Sequence, residues 1–280
     1  MFLSLFNGLS EIRKYALMLI MGAILSILVG GLFTYYYKVD GYFFGLVASQ
    51  CILFFISIFY FKQLGLRINF FSLRLDSRFL KMIFRFSLMA VTSVICVPLA
   101  QMIIRLYVVA HSGWDVVGYW QAVLKISDAY LLIFTTIIGT YVLPKYAQLS
   151  DKVLLKNEVF SVMRKILPFT VLFAATIYFF RDTVIILLFS SHFLEARSLF
   201  LFQLAGDVFK IASWVIANIL IAKAQVKVFV IVEISFTLLF LLLSIIFFQF
   251  FGVIGLTMAF FVNYFFCFFV VLFWFFRFLK

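Results

Sequence analysis

Residues 228–249 read VFVIVEISFTLLFLLLSIIFFQ, twenty-two residues in which Glu233 is the one charge. As a helix this run measures about 33 Å, enough for a hydrocarbon core of about 30 Å. It lacks the period-two polar alternation of a membrane barrel strand, and a helix is the remaining way to satisfy every backbone donor and acceptor inside lipid. Two residues on, 252–275 repeats the pattern. Six further apolar runs precede them, at 15–36, 41–61, 82–109, 117–143, 166–189 and 198–222. The chain therefore reads as an all-α integral membrane protein of eight spans. Its composition agrees: 66% hydrophobic and 12% charged residues, with mean hydropathy +1.20, lie far from soluble domains, where about a quarter of residues are charged.

Basic residues set the topology. Arg13 and Lys14, the group Lys62, Arg67, Arg74, Arg78 and Lys81, the group Lys145, Lys152, Lys156, Arg164 and Lys165, then Lys223 with Lys227 and Arg277 with Lys280 all fall on one side. The other side holds only Lys38, Arg181 and Arg197. Cytoplasmic loops collect Lys and Arg, so both termini are expected in the cytoplasm, and most of the formal charge of +12 reflects orientation rather than nucleic-acid binding. Tyr35 to Tyr37, Trp114, Tyr119 and Trp120 at outer span ends, and Tyr141, Tyr146 and Trp274 at inner ends, read as interfacial anchors.

The longest connection, 62–81, is the expected boundary between a first part, 1–61, and a second, 82–280. The fifth span is interrupted by Arg181-Asp182 and has an alternative end near Phe180, with 183–190 then lying along the outer surface. Before it, Leu149, Val153, Phe160 and Met163 recur at roughly helical spacing among Lys152, Lys156 and Arg164, which predicts an amphipathic helix on the cytoplasmic face, bound to anionic headgroups. Met1–Leu9 is apolar but too short to cross, and its basic residues follow the apolar part, unlike a signal peptide; it reads as the tail of a missing span. On the first span Gly22, Ser26 and Gly30 allow a neighbouring helix to come close.

Charges inside spans are costly and mark polar surroundings. They are Arg85, Arg105, Lys125, Asp128, Asp207, Lys210 and Glu233. Arg85 and Glu233 lie near cytoplasmic ends, where snorkelling or pairing with a neighbour such as Lys227 accounts for them. Lys125 with Asp128, and Asp207 with Lys210, sit three residues apart and share a helix face. Two readings fit. The pairs clamp helices together, Lys125 facing Asp207 and Asp128 facing Lys210, or they line a hydrated path for a polar or anionic substrate. Arg105 has no acid within a turn and is the freest cation, suited either to phosphate or to snorkelling. Pro98 predicts a bend in the third span. Cys51, Cys96 and Cys267 stand singly, His111 and His192 lack sequence partners, and no phosphate loop, His-Glu-x-x-His, nucleophile elbow or paired catalytic carboxylates occur. No enzyme activity, metal or cofactor is expected.

Several runs carry a resemblance: Ser-Gly-Trp-Asp-Val-Val-Gly-Tyr-Trp-Gln at 112–121, Ile-Ser-Asp-Ala-Tyr-Leu at 126–131, Tyr-Val-Leu-Pro at 141–144, Leu-Leu-Phe-Ser at 187–190, Gln-Leu-Ala-Gly-Asp-Val-Phe-Lys at 203–210 and Ile-Ala-Lys-Ala at 221–224, with Phe86 to Ala90 fitting more weakly. In these the chain resembles the polysaccharide (O-antigen and lipid III) flippase family of the multidrug/oligosaccharidyl-lipid/polysaccharide exporter superfamily. The resemblance implies a twelve-helix fold of two six-helix lobes around a central cavity, of which these spans are the last eight: 1–61 the remainder of an N-terminal lobe, 62–81 a basic cytoplasmic linker, 82–280 a C-terminal lobe. It implies transport of an undecaprenyl-diphosphate-linked oligosaccharide across a bacterial inner membrane, with membrane lipids and polysaccharide polymerase or assembly proteins as partners. Arg105, Lys125 and Lys210 become candidate diphosphate contacts. Asp128, Gln203 and Asp207 become candidate sugar contacts or partners of those cations, and Asp207 a candidate carrier of a coupling proton. Two alternatives remain: an inactive or split-gene fragment, and a drug/cation antiporter of the same superfamily, which calls for a more acidic cavity.

Overall fold

The computed structural model describes residues 12–63 and 77–279. The expectations for Met1–Leu9 and for Arg67 and Arg74 of the basic connection lie outside the described residues. Among the described residues the chain is helical, with no strand. Two compact units divide it, Met1–Arg74 and Leu75–Lys280.

The first unit is a helical hairpin, α1 (12–37) and α2 (39–63), reversed at Lys38, whose φ of 52° and ψ of −126° interrupt the helix Ile12–Gln63. Glycine makes the reversal tight. A Cβ on Gly41 would overlap the Phe33 carbonyl, and one on Gly45 would come within 2.8 Å of the Gly30 Cα. The expected close approach is thus realised at Gly30. Most outward side chains, Ile27, Tyr35 and Phe55 among them, are apolar and exposed, as a lipid-facing surface requires.

In the second unit the helix Ser77–Ile137 is divided at Gly113, where φ 83° and ψ 179° reverse the chain between α3 (77–112) and α4 (114–137). Seven helical stretches among the described residues are long and apolar enough to cross a membrane, one of them spanning 69 residues. At 1.5 Å per residue that stretch would be about 100 Å long, three times the hydrocarbon thickness. The reversal at Gly113 makes it two crossings, which brings the count to eight.

Beyond α4 a π-helical turn, Ile138–Val142, leads into the short helix Leu143–Gln148. Then follow α5 (Lys152–Phe179), α6 (Arg181–Leu188), a 3-10 segment Ser191–Leu199, α7 (Phe200–Ala222), α8 (Val226–Phe251) and α9 (Val253–Leu279). Asp151 caps α5, its carboxylate accepting from the Val153 amide at 2.7 Å and more weakly from that of Leu154 at 3.4 Å.

Two sequence expectations are corrected here. The segment 149–163 is not a separate surface helix. From Lys152 onward it is the start of α5, because a stripe of Leu155, Val159, Val162, Ile166, Thr170 and Ala174 runs unbroken at three- and four-residue spacing, is buried, and packs α5 on α7. Val153, taken for part of the apolar face, is exposed. Trp120 and Tyr146 are not interfacial anchors; both are fully enclosed in the core, whereas Tyr35, Trp114 and Tyr141 are exposed. At the far end α5 stops at Phe179, in line with the alternative end near Phe180. Arg181 turns back there, donating to the Tyr178 carbonyl at 2.9 Å with its guanidinium 4.4 Å from the Tyr178 ring centre.

α7 is the hub of this unit. It packs most extensively on α9 and also on α5, on α4 through side-chain hydrogen bonds, and on the Leu143–Gln148 segment. Gly206 permits the α9 contact: a Cβ there would lie 2.5 Å from a Phe260 ring carbon and 3.1 Å from the Phe261 Cα. At one end of the bundle Lys223 donates to the Leu149 carbonyl at 2.6 Å and to that of Ala147 at 3.4 Å, satisfying carbonyls that the helix end leaves free.

Candidate functional site

The site grows from one side chain, Asp207 of α7, which has no exposed surface although its helix lies in an apolar bundle. Leaving an ionised carboxylate there unpaired would cost several kcal/mol, so donors must surround it. They do. Ser127 Oγ donates to Asp207 Oδ2 at 2.7 Å and Tyr130 Oη donates to the same oxygen at 2.8 Å. Gln203 Nε2 approaches Oδ1 at 3.4 Å, a weaker contact from one turn earlier on α7. Ser127, Tyr130 and Gln203 are themselves buried. These hydroxyls join α4 to α7 inside the apolar core.

The clamp expected from the sequence is not formed. Lys125 and Asp128 are both exposed, and among the described residues neither makes a salt bridge with Asp207 or Lys210. Helical rotation supplies the reason. Ser127 and Tyr130 lie about 60° apart around α4, whereas Asp128 is about 100° and Lys125 about 160° from Ser127. Once the hydroxyl face turns to α7, the charged face turns away.

Lys210 is half-buried one turn after Asp207, with its ammonium enclosed by aromatic rings at 5.4 Å from Trp214, 5.7 Å from Phe260 and 5.8 Å from Tyr264. Negative ring faces hold a cation without neutralising it. Lys210 lies half-buried beside the exposed Trp214, while Asp207 lies enclosed on the same helix face. Arg105, on α3, is also half-buried: Nη2 donates to Gln101 Oε1 at 3.3 Å, and its buried Nε has no partner.

Of the six candidate residues the structure brings Gln203 and Asp207 into contact and leaves Arg105, Lys125, Asp128 and Lys210 with reachable polar atoms or exposed surface. Gln203 and Asp207, at 1% and 0% exposure, touch no open space in this conformation. Sequence reasoning missed Ser127 and Tyr130 as site residues. Their signal was available, two hydroxyls three residues apart in Ile-Ser-Asp-Ala-Tyr-Leu, but neutral groups carry no charge to draw notice. Among the described residues Glu233 on α8 forms no salt bridge with Lys227. Both histidines gain partners, His111 Nδ1 lying 2.8 Å from the Tyr107 carbonyl and His192 Nε2 lying 3.3 Å from the Tyr119 hydroxyl.

No protein-family model matches the chain. In sequence it is similar to the lipid III flippases of Escherichia coli (strain K12) and Shigella flexneri, at 32% identity in each case over 244 residues, which is 85% of this chain and 58% of the relative. The chain thus spans less than two thirds of the length of these relatives. In structure it is similar to an outward-facing multidrug resistance MATE family transporter of the MOP superfamily, with TM-score 0.80 and 15% identity over 99% of this chain and 65% of the other. A MATE in complex with MaD5 gives TM-score 0.76 at 16% identity, over 95% and 61%. A MOP superfamily transporter from Pyrococcus furiosus, described as having a binding pocket of reversed polarity, gives 0.68 at 14% over 94% and 62%. At these identities the solved structures establish the fold: an all-helical MATE-type transporter fold in a multi-pass membrane protein.

Proposed function

We propose that this chain, a homologue of the lipid III flippases with a MATE-type fold, is part of a flippase that moves an undecaprenyl-diphosphate-linked oligosaccharide across a bacterial inner membrane. The cargo is an enterobacterial common antigen or O-antigen repeat unit. The observation that carries the reading is identity of 32% sustained over 85% of the chain with proteins named lipid III flippases. The transfer breaks no bond. Its difficulty is electrostatic, because a diphosphate and its sugars cannot enter hydrocarbon unaccompanied, and charged groups inside a membrane need polar surroundings.

The residues supply parts of such a path. Lys210, steadied by its aromatic rings, and Arg105, with an unpartnered Nε, are the diphosphate contacts in this reading, and Lys125 and Asp128 present further charge on the exposed face of α4. Asp207 serves coupling. When its carboxylate takes a proton on Oδ1 that oxygen becomes a donor, so Gln203 must turn its amide to accept, and the bonds from Ser127 and Tyr130 to Oδ2 lose their charge assistance, which weakens the joint between α4 and α7. A change of that kind can bias one of two conformations over the other, which alternating access requires.

Complementation of a flippase-deficient bacterium tests the proposal. Restored surface polysaccharide by the parent, and its loss in Arg105→Ala and Lys210→Ala at unchanged membrane abundance, is the expected result. Failure of the parent to complement, in a membrane where it accumulates and folds, removes the active-flippase reading and leaves the inactive fragment. Drug resistance conferred without complementation would favour an antiporter, the reading to which the MATE-type fold also lends itself.

A further inference from the structure

Along α5, next to the stripe that packs on α7, residues 157, 161, 164, 168, 171 and 175 follow one another at alternating steps of four and three and so share one face. This face forms two adjoining hollows. One, of about 770 Å³, is lined by apolar side chains from Leu167 to Ala175, with Arg164 at its end. The other, of about 440 Å³, is polar and lined by Asn157, Ser161, Arg164 and Lys165. Phe160 and Arg164 border both.

The boundary between them falls at a meaningful depth. From Arg164 to Phe180, where α5 ends beside Arg181, is sixteen residues or about 24 Å, most of a hydrocarbon core of about 30 Å. Arg164 and Lys165, both exposed, thus reach the level where hydrocarbon gives way to headgroups. Their charge is not cancelled from within the helix: Glu158, the sole acidic residue inside α5, is taken by Lys145 at 2.7 Å. A helix packed into this trough would have to bury an unpaired Arg164. An amphiphile with a negative head and an apolar tail matches both halves.

We propose that this face of α5 is a binding site for one anionic phospholipid, its phosphate held by Arg164 and Lys165 with Asn157 and Ser161 beside it, and an acyl chain lying along Pro168, Val171 and Ala175. The site is separate from Asp207 and Lys210 and does not depend on the transport reading.

The test is native mass spectrometry of the full chain in mixed micelles containing equal amounts of phosphatidylglycerol and phosphatidylethanolamine. One bound phosphatidylglycerol, retained with a preference of about 30-fold, is expected for two basic side chains at a headgroup. Arg164→Gln with Lys165→Gln should erase the preference, and Lys156→Gln, a basic residue outside both hollows, should keep it. Ala175→Trp, which fills the tail trough and leaves both charges in place, should lower retention of either lipid. Equal retention of the two headgroups by the parent, a preference that survives removal of both charges, retention indifferent to Ala175→Trp, or capture of an added polyprenyl diphosphate in place of phosphatidylglycerol would each overturn the assignment.

Discussion

Replacing Asp207 by Asn and Tyr130 by Phe separates the charge of the buried cluster from its geometry. Tyr130→Phe keeps the ring and deletes the donor at 2.8 Å from Oδ2, leaving that oxygen to Ser127 alone. A hydrogen bond to an ionised group contributes about 1.5–3 kcal/mol, so a loss of about 2 kcal/mol is expected. At about 2–4 °C per kcal/mol the midpoint of thermal unfolding in detergent should fall by about 4–8 °C. Asp207→Asn keeps the shape. Its carbonyl can accept from both hydroxyls, and its new amide faces Gln203, whose Oε1 is buried without a partner and can turn to accept. Two charge-assisted bonds become neutral ones, weaker by about 1 kcal/mol each. Against this, an enclosed charge disappears, which relieves a desolvation penalty of several kcal/mol. Asp207→Asn should therefore melt within about 4 °C of the parent or above it, while transport falls at least about tenfold, the effect of about 1.4 kcal/mol, if the charge serves coupling. The assay pairs a thermal melt with complementation on the same preparations. A parent-like melt for Tyr130→Phe together with collapse of Asp207→Asn would refute the reasoning, since the acid would then be held by something other than these hydroxyls.

Four further outcomes follow from the packing. Gly206→Ala drives a methyl against the Phe260 ring with the Phe261 backbone 3.1 Å away, and should cost about 1–3 kcal/mol in the same melt. Gly113→Ala forces a side chain into a backbone region that is nearly glycine-only, at φ 83° and ψ 179°; a comparable loss of about 1–3 kcal/mol should show as a reduced folded fraction on size-exclusion chromatography. Lys223→Met removes a charged donor 2.6 Å from the Leu149 carbonyl and should cost about 1.5–3 kcal/mol. Lys145→Ala, which breaks a partly exposed ion pair with Glu158, should cost no more than about 1 kcal/mol.

Hydropathy marked the crossings well: the run at 228–249 lies within α8, Val226–Phe251, and 198–222 covers α7 and the turn before it. Lipid enforces this legibility, because a backbone there must bond to itself and the apolar stretch has to match the membrane thickness. Rotation of each helix about its axis left no comparable mark. Charge pairing suggested that Lys125 and Asp128 face α7, yet the setting of α4 follows Ser127 and Tyr130, which reach a buried acid on α7. Apolar residues against lipid and apolar residues against protein look alike in a sequence, which is why Leu155 and Val159 went unread as core. The partners of His111 and His192 depend on where separate elements meet and so could not be read from spacing.

The reversal at Gly113 has a mechanical consequence. One non-helical residue supplies at most about 3.6 Å of chain, whereas sliding one helix past its neighbour by a single turn requires 5.4 Å. α3 and α4 therefore cannot ratchet along each other; they can only swing about the Gly113 end. Gly252, at φ 61° and ψ −144°, imposes the same restriction on α8 and α9. Four crossings separate the two turns, so both pivots lie at one membrane face. Displacement then grows along each lever toward the opposite face, where a small rotation at the glycines opens the widest gap.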